Sequence, residues 1–317
     1  MTLTAMHSKT FNQHHPVRQG QANCGPVTIH YQDEGYLTDK PLLLIMGLGS
    51  QLTLWPTELV NTLVDEGFRV IRFDNRDIGL SSSANNGIDA DLKKAMLRSR
   101  LRLPIKSNYT LFDMVSDCIN LLDHLDLPKV HVVGASMGGM IAQLFAALYP
   151  HRTLSLTSIM STTNEPWLPM PRMDILLNMA GYGVPRGHEK EIAIARSLQF
   201  WKKISSPMYP TPDEEILARL AADFDRAYRP SGYLRQSHAI IATGGFRKLL
   251  RNIDCPTQII HGSSDPLVNK RGGIDSAKSI RRAKLELIKG MGHDFPKQLL
   301  PRLGELIAYN ALQTHNR

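Results

Sequence analysis

The stretch Val130-His131-Val132-Val133-Gly134-Ala135-Ser136-Met137-Gly138-Gly139-Met140 decides how the rest of the chain is read. An apolar, β-branched run enters it, a turn of small residues holds a serine, and the run 140–148, Met-Ile-Ala-Gln-Leu-Phe-Ala-Ala-Leu, leaves it as a helix. The centre is Gly-x-Ser-x-Gly between a strand and a helix, the setting in which a serine becomes an exposed nucleophile. Such a turn leaves no room for a Cβ two residues before or after the serine, which accounts for Gly134 and Gly138. It projects the Ser136 hydroxyl above the sheet edge and aims the helix N-terminus at the reacting oxygen.

Working outward, the segments beside this unit alternate between strand and helix. Residues 27–31 alternate in hydrophobicity as a strand does. The run 42–46, Leu-Leu-Leu-Ile-Met, is continuously apolar, as a strand buried on both faces should be. It ends in Gly47-Leu48-Gly49-Ser50, and a helix is predicted from Pro56 to about Glu66. A strand at 69–73 runs into the polar turn Asp74-Asn75-Arg76-Asp77-Ile78-Gly79-Leu80-Ser81, rich in residues that bond to nearby backbone. A long, basic, partly helical connection over 82–108 precedes a helix capped by Thr110 and running to about Leu125. Further strands are predicted at 154–160, 257–261 and 285–288, with helices near 274–280 and over 299–312. Strands alternating with helices give an α/β protein with a mostly parallel central sheet covered by helices on both faces. The rhythm breaks near Ser161, where a proline-punctuated, mostly helical stretch begins, with periodic segments at 189–201 and 213–223. The expected organisation is a core over 1–161, an inserted helical cap over 162–245 and the rest of the core over 246–317, with residues 1 to about 10 a loose tail.

Composition sets outer limits. A chain of 317 residues, 42% hydrophobic and 21% charged, buries a large core and reads as an ordinary globular protein. The formal net charge is +8 and the isoelectric point about 9.4. The densest basic cluster, Lys93-Lys94 through Arg98, Arg100, Arg102 and Lys106, comes with no recognition motif or aromatic platform. It reads as a solvated basic loop, so neither a nucleic-acid nor a membrane partner is expected. Cys24, Cys118 and Cys255 are scattered and odd in number, which fits reduced thiols in a cytoplasmic protein. The first residues contain no apolar signal region, and no run approaches the roughly 18 apolar residues of a membrane span.

A serine hydroxyl needs a base within hydrogen-bond reach, and the base needs an orienting carboxylate. In an open α/β sheet the loops at the C-terminal strand ends converge on one crevice. Two late strands end in suitable groups: Asp265 in His261-Gly262-Ser263-Ser264-Asp265-Pro266, and His293 in Gly290-Met291-Gly292-His293-Asp294. Ser136, Asp265 and His293 stand in the chain order of this motif set. Asp254 and Asp294 are reserve acids, and His131 and His261 read as structural. Negative charge developing on a substrate oxygen needs preorganised donors, and the backbone N–H groups of Leu48 and Met137 form the natural oxyanion pair. No phosphate-binding loop, dinucleotide fingerprint or metal-ligand spacing occurs, so no cofactor and no metal is implied.

These motifs, together with Tyr109-Thr110-Leu111-Phe112-Asp113-Met114, resemble the α/β-hydrolase superfamily over nearly the whole chain outside the cap. Within it the chain is most similar to the cofactor-free serine esterase branch, which includes polyketide methylesterases and non-haem haloperoxidase-like hydrolases. Many relatives have His-Gly where this chain has Met46-Gly47; the methylesterase-like branch shares Met-Gly, which leaves the backbone donors in place. Serine at position 136 argues against the branches with an aspartate nucleophile. The resemblance implies the triad and the oxyanion pair and names no substrate; the three-part triad in fold order points to hydrolysis of a carboxylic ester through an acyl-enzyme. An amide, a lactone or the C–C bond of a ring-cleavage diketone suits the same machinery, and a non-catalytic ligand-binding member of the fold is the reading from another class. The cap should supply selectivity, with Trp55, Trp167, Met170 and Trp201 as candidate pocket walls for an apolar acyl or ring-bearing small molecule.

Overall fold

A computed structural model describes residues 15–88, 90–181 and 190–313. The tail expected at residues 1–10 lies outside them, as does Glu189, the first residue of one periodic segment. The sheet opens with two strands, β1 (Val17–Asn23) and β2 (Thr28–Glu34), paired antiparallel. Then come β3 (Lys40–Ile45), α1 (Thr57–Asp65), β4 (Phe68–Phe73), α2 (Leu92–Arg100) and α3 (Leu111–His124). The serine unit is β5 (Val130–Ala135) and α4 (Met137–Leu148), followed by β6 (Thr153–Ile159). Among the described residues, four α-helices stand between β6 and the next strand: α5 (Met173–Gly181), α6 (Lys190–Ile204), α7 (Asp213–Arg226) and α8 (Pro230–Thr243). The chain then adds β7 (Thr257–Gly262), α9 (Lys270–Ser279), β8 (Lys284–Ile288) and α10 (Leu300–Leu312).

The eight strands lie in the order β1-β2-β4-β3-β5-β6-β7-β8. The pairs β1–β2 and β2–β4 are antiparallel; all pairs from β4 to β8 are parallel. The apolar run at 42–45 is buried on both sides, as its composition requires. Leu43 and Ile45 belong to one core cluster with residues of α3 and α4, and Leu42 and Leu44 to another with residues of α1 and α10. β5 splits in the same way, Val130 and Val132 to one side and Val133 and Ala135 to the other. These central strands, paired in register Leu44↔Val133 and Ile45↔Gly134, put the Gly47–Gly49 loop and Ser136 side by side at their C-terminal ends.

Helix boundaries follow local chemistry. Thr110 and Asp113 form a reciprocal capping box at the start of α3, with the Thr110 N–H donating to Asp113 Oδ2 at 2.8 Å. α9 starts at Lys270, four residues before the predicted start, because Asn269 Oδ1 accepts the Arg271 N–H at 3.0 Å. β1 has no counterpart in the sequence reading. It is an edge strand of sequence VRQGQAN, alternately exposed, and carries none of the apolar enrichment of the inner strands.

Candidate active site

The serine sits at the junction of β5 and α4 with φ 56° and ψ −121°, a backbone conformation that a residue with a Cβ adopts only under strain. Packing around the turn holds it there. A Cβ on Gly134 would overlap the Gly138 carbonyl, and one on Gly138 would overlap the Ile45 carbonyl at the end of β3. The second clash involves the neighbouring strand, so Gly138 serves the approach of the Gly47 loop as well as the turn itself. The Ser136 N–H donates to the Ile159 carbonyl at 2.9 Å, and the Ser161 hydroxyl donates to the Ser136 carbonyl at 2.7 Å.

The loops after β7 and β8 bring Asp265 and His293 to this turn. Ser136 Oγ donates to His293 Nε2 at 2.9 Å, and His293 Nδ1 donates to Asp265 Oδ2 at 2.7 Å. Asp265 Oδ1 accepts the N–H groups of Leu267 and Val268 at 2.9 and 2.8 Å, so the carboxylate is pinned by its own turn. Burial pushes the Asp265 pKa up, but His293 and His261 beside it more than offset this and leave it at about 2. The carboxylate is therefore ionised at neutral pH and holds the imidazole with Nε2 open toward the serine. His261 Nε2 donates to the Val268 carbonyl at 2.8 Å and lies 3.5 Å from Asp265 Oδ2, bracing the same turn. The reserve acids go elsewhere: Asp254 pairs with Arg281 on the surface, and Asp294 bonds Ser206.

Leu48 and Met137 lie on either side of Ser136, and the N–H of neither donates to an acceptor among the described residues. A Cβ on Gly47 would stand 3.0 Å from that of Ser136, which shows how close the loop lies. The loop is fixed from three directions. Asn75 Nδ2 donates to the Met46 carbonyl at 2.9 Å, the Gly49 N–H donates to Gln236 Oε1 at 2.8 Å, and Asp74 Oδ1 accepts the Leu52 N–H at 2.8 Å. Arg226 forms an ion pair with Asp74 and bonds Gln51, and Gln51 Nε2 donates to the carbonyls of Asp223 and Ala227 at the end of α7. Arg235 and Tyr109 both donate to the carboxylate of Asp77. Residues 74–77 make the expected local bonds, to Leu80, Ser81 and Ala84 among others, and are in addition a buried long-range hub. Four consecutive polar residues, Asp74 to Asp77, directly after a strand were the available sign of it.

The loop over the histidine is tied to the inserted helices in the same manner. The His293 N–H donates to the Ile204 carbonyl and the Gly292 N–H to Ser206 Oγ, each at 2.7 Å. Ser206 in turn donates to the Asp294 carboxylate through both its N–H and its hydroxyl. Burial raises the Asp294 pKa, and the bonds from Ser206 partly counter this. Neither Ser206 nor Gln236 belongs to a motif that sequence reasoning singles out.

A cavity of about 170 Å³ lies between the Leu48–Gln51 loop and α6, α7 and α8. Its walls include Leu48, Leu54, Ile78, Phe200, Trp201, Phe224 and Tyr233; Ser136, Asp265 and His293 are not among its lining residues. Of the four expected wall residues only Trp201 lines it. Trp55 is a correction: it is 1% exposed and packs in the core against Phe295, ring centroids 5.2 Å apart. Trp167 and Met170 are 66% and 59% exposed. They stand in the stretch broken by Pro166, Pro169 and Pro171, before α5 begins, where no helix face turns them inward.

A family model described as the alpha/beta hydrolase fold matches residues 40–297. The chain belongs to this family. This α/β-hydrolase is 27% identical over 290 residues to rhodomycin D methylesterase of Streptomyces sp. (strain C5), covering 85% of the chain and 90% of that protein. It is 24% identical to 2-hydroxy-6-oxononadienedioate/2-hydroxy-6-oxononatrienedioate hydrolase 1 of Pseudomonas putida, over 92% of the chain and 93% of the relative. Among solved structures it superposes on a meta-cleavage product hydrolase of Pseudomonas fluorescens IP01 with a TM-score of 0.72 at 19% identity, over 93% of this chain and 98% of that one. The α/β-hydrolase is an enzyme of the hydrolase class.

Proposed function

We propose that this α/β-hydrolase is a serine hydrolase that cleaves a carboxylic ester of an apolar, ring-bearing or acyl-chain small molecule. The observation that carries the reading is the unbroken relay from Ser136 Oγ through His293 to Asp265, with links of 2.9 and 2.7 Å. Ser136 attacks the ester carbonyl while His293 Nε2 takes the hydroxyl proton, and Asp265 stabilises the imidazolium that forms. The tetrahedral oxyanion is held by the N–H groups of Leu48 and Met137. Collapse breaks the bond to the leaving alkoxide, which receives the proton from His293. Water, deprotonated by the same imidazole, then attacks the acyl-serine and releases the acid. The cavity walled by Phe200, Trp201, Phe224 and Tyr233 suits aromatic or long acyl groups, and the similarity to a methylesterase along most of both chains supports an ester.

The test needs no guess at the substrate. Intact mass after treatment with a fluorophosphonate should show one label on the parent and none on Ser136→Ala. A panel of esters of increasing acyl length and ring size should then be hydrolysed by the parent alone. A Ser136→Ala protein with full esterase activity, or a parent that stays unlabelled and inert on the whole panel, overturns the proposal.

A further inference from the structure

We propose that α2 and the segment after it form a docking surface for a lipid bilayer that carries anionic headgroups. From Leu92 to Asn108 the chain has six basic residues (Lys93, Lys94, Arg98, Arg100, Arg102 and Lys106) and no acidic one. Charge alone reads as a solvated loop. The structure adds a second observation, the direction in which the apolar residues point.

A surface helix of a soluble protein turns its apolar stripe inward. α2 does the reverse. Its inward face is Ala95, fully buried, with Leu92 and Ser99 half-buried beside it where the helix packs on α8. Leu97 and Leu101, one helical turn apart, stand on the opposite face and are 60% and 59% exposed. Lys93, Lys94 and Arg100 flank them at helical spacing on either side. Met96 and Leu103 extend the exposed apolar area, and Arg102 and Lys106 continue the basic border past the helix end. Scattered exposed leucines need no explanation, but four large apolar residues within eight positions, ringed by cations, form a patch.

The chemistry of the patch selects its occupant. The leucines reach the boundary of headgroups and acyl chains, while lysine and arginine stems lie along the apolar surface and carry their charge up to the phosphates. None of the six cations has an ion-pair partner among the described residues; Arg98 is half-buried and donates to the Pro104 carbonyl, and the other five are exposed and available to headgroups. Nucleic acid would leave the leucines against water and has no aromatic platform here. Docking by α2 also brings the active site close to the bilayer, because α8, on which α2 packs, carries Tyr233 on the cavity wall. Apolar esters partition into that layer.

The experiment is flotation of the full-length protein with vesicles of phosphatidylcholine alone and with about 30 mol % phosphatidylglycerol, at low and high salt. The parent should float with the anionic vesicles only, and less at high salt. Each basic residue near the surface is worth about fivefold in partitioning, so Lys93→Glu/Lys94→Glu should weaken binding by about 25-fold or more. Leu97→Ser/Leu101→Ser should weaken it by about tenfold or more, through lost apolar burial. All four positions are exposed, and unchanged near-UV circular dichroism checks that the fold is kept. A parent that stays with the soluble fraction, or that binds neutral vesicles equally, overturns the proposal. So does a leucine variant that binds as the parent does while the charge variant fails, since that pattern is electrostatic adsorption in which the apolar residues take no part.

Discussion

Replacing Asp265 by Asn tests the relay at its most constrained point. The variant keeps size and shape, and the structure dictates how its amide lies. Oδ1 of Asp265 accepts two backbone N–H groups, from Leu267 and Val268, so in the variant the amide oxygen must take that side. The NH2 group then faces His293 Nδ1, 2.7 Å from the position of Oδ2. Both groups cannot donate, so Nδ1 becomes the acceptor and the imidazole proton moves to Nε2, facing Ser136. A histidine protonated there cannot take the serine proton. The expected loss is about 10⁴-fold in kcat, equivalent to about 5.5 kcal/mol. The second-order rate of fluorophosphonate labelling should fall in parallel, followed by intact mass so that no natural substrate is needed. The variant should remain folded, losing about 2 kcal/mol at neutral pH, the value of a carboxylate held at about 2 against an ordinary value of 3.8. Labelling within tenfold of the parent rate, in a folded variant, would refute the reasoning, because it would mean that the carboxylate does not set the tautomer.

Three more outcomes follow from the same geometry. Because the folded-state pKa of Asp265 is depressed, its contribution is fully present above about pH 4 and is lost as the pH falls toward 2. Denaturant titrations should show the parent and Asp265→Asn differing by about 2 kcal/mol at pH 6 and converging near pH 2; a constant difference contradicts the assignment. Gly138→Ala drives a Cβ into the rigid Ile45 carbonyl and should cost about 3 kcal/mol or more. A thermal midpoint equal to that of the parent would show that the elbow and β3 are not packed as described. Ser206→Ala strips the hydroxyl donor from the Asp294 carboxylate and the acceptor from the Gly292 N–H, at a cost of about 2–3 kcal/mol. If Ser206 positions the histidine loop, kcat should fall with KM little changed and Ser206→Thr should recover it; equal loss in both variants would reduce Ser206 to a packing role.

The central strands were legible because burial on both faces leaves a mark in composition. Residues 42–45 are apolar without interruption, and 130–135 are apolar apart from His131, itself buried. Ser136, Asp265 and His293, which the structure brings together, were readable as candidates because each follows a strand in a turn rich in small residues. β1 left no mark, since an edge strand with alternately exposed residues needs little apolar content. α9 begins at Lys270, ahead of the predicted 274–280, and takes in Gly272 and Gly273. They sit inside the helix, where a Cβ would press on Thr162 and His261. The pocket was the least legible part. Trp55 follows the oxyanion loop closely in sequence, yet the chain turns there and buries its ring in the core. Ser206 and Gln236 act across separations of 86 and 187 residues, which no local pattern records.

The buried hub at residues 74–77 limits how freely the inserted helices can be exchanged. Asp74 and Asp77 are wholly enclosed, and the arginines that neutralise them, Arg226 and Arg235, come from α7 and α8. A chimera that grafts a relative's insertion onto this sheet inherits two enclosed carboxylates, and each one left without its arginine costs about 3–5 kcal/mol. Exchange of substrate range by whole-insertion swapping therefore succeeds only with donors that bring a matching pair of arginines, or with recipients in which both aspartates are replaced at the same time. The insertion and the sheet change together or not at all.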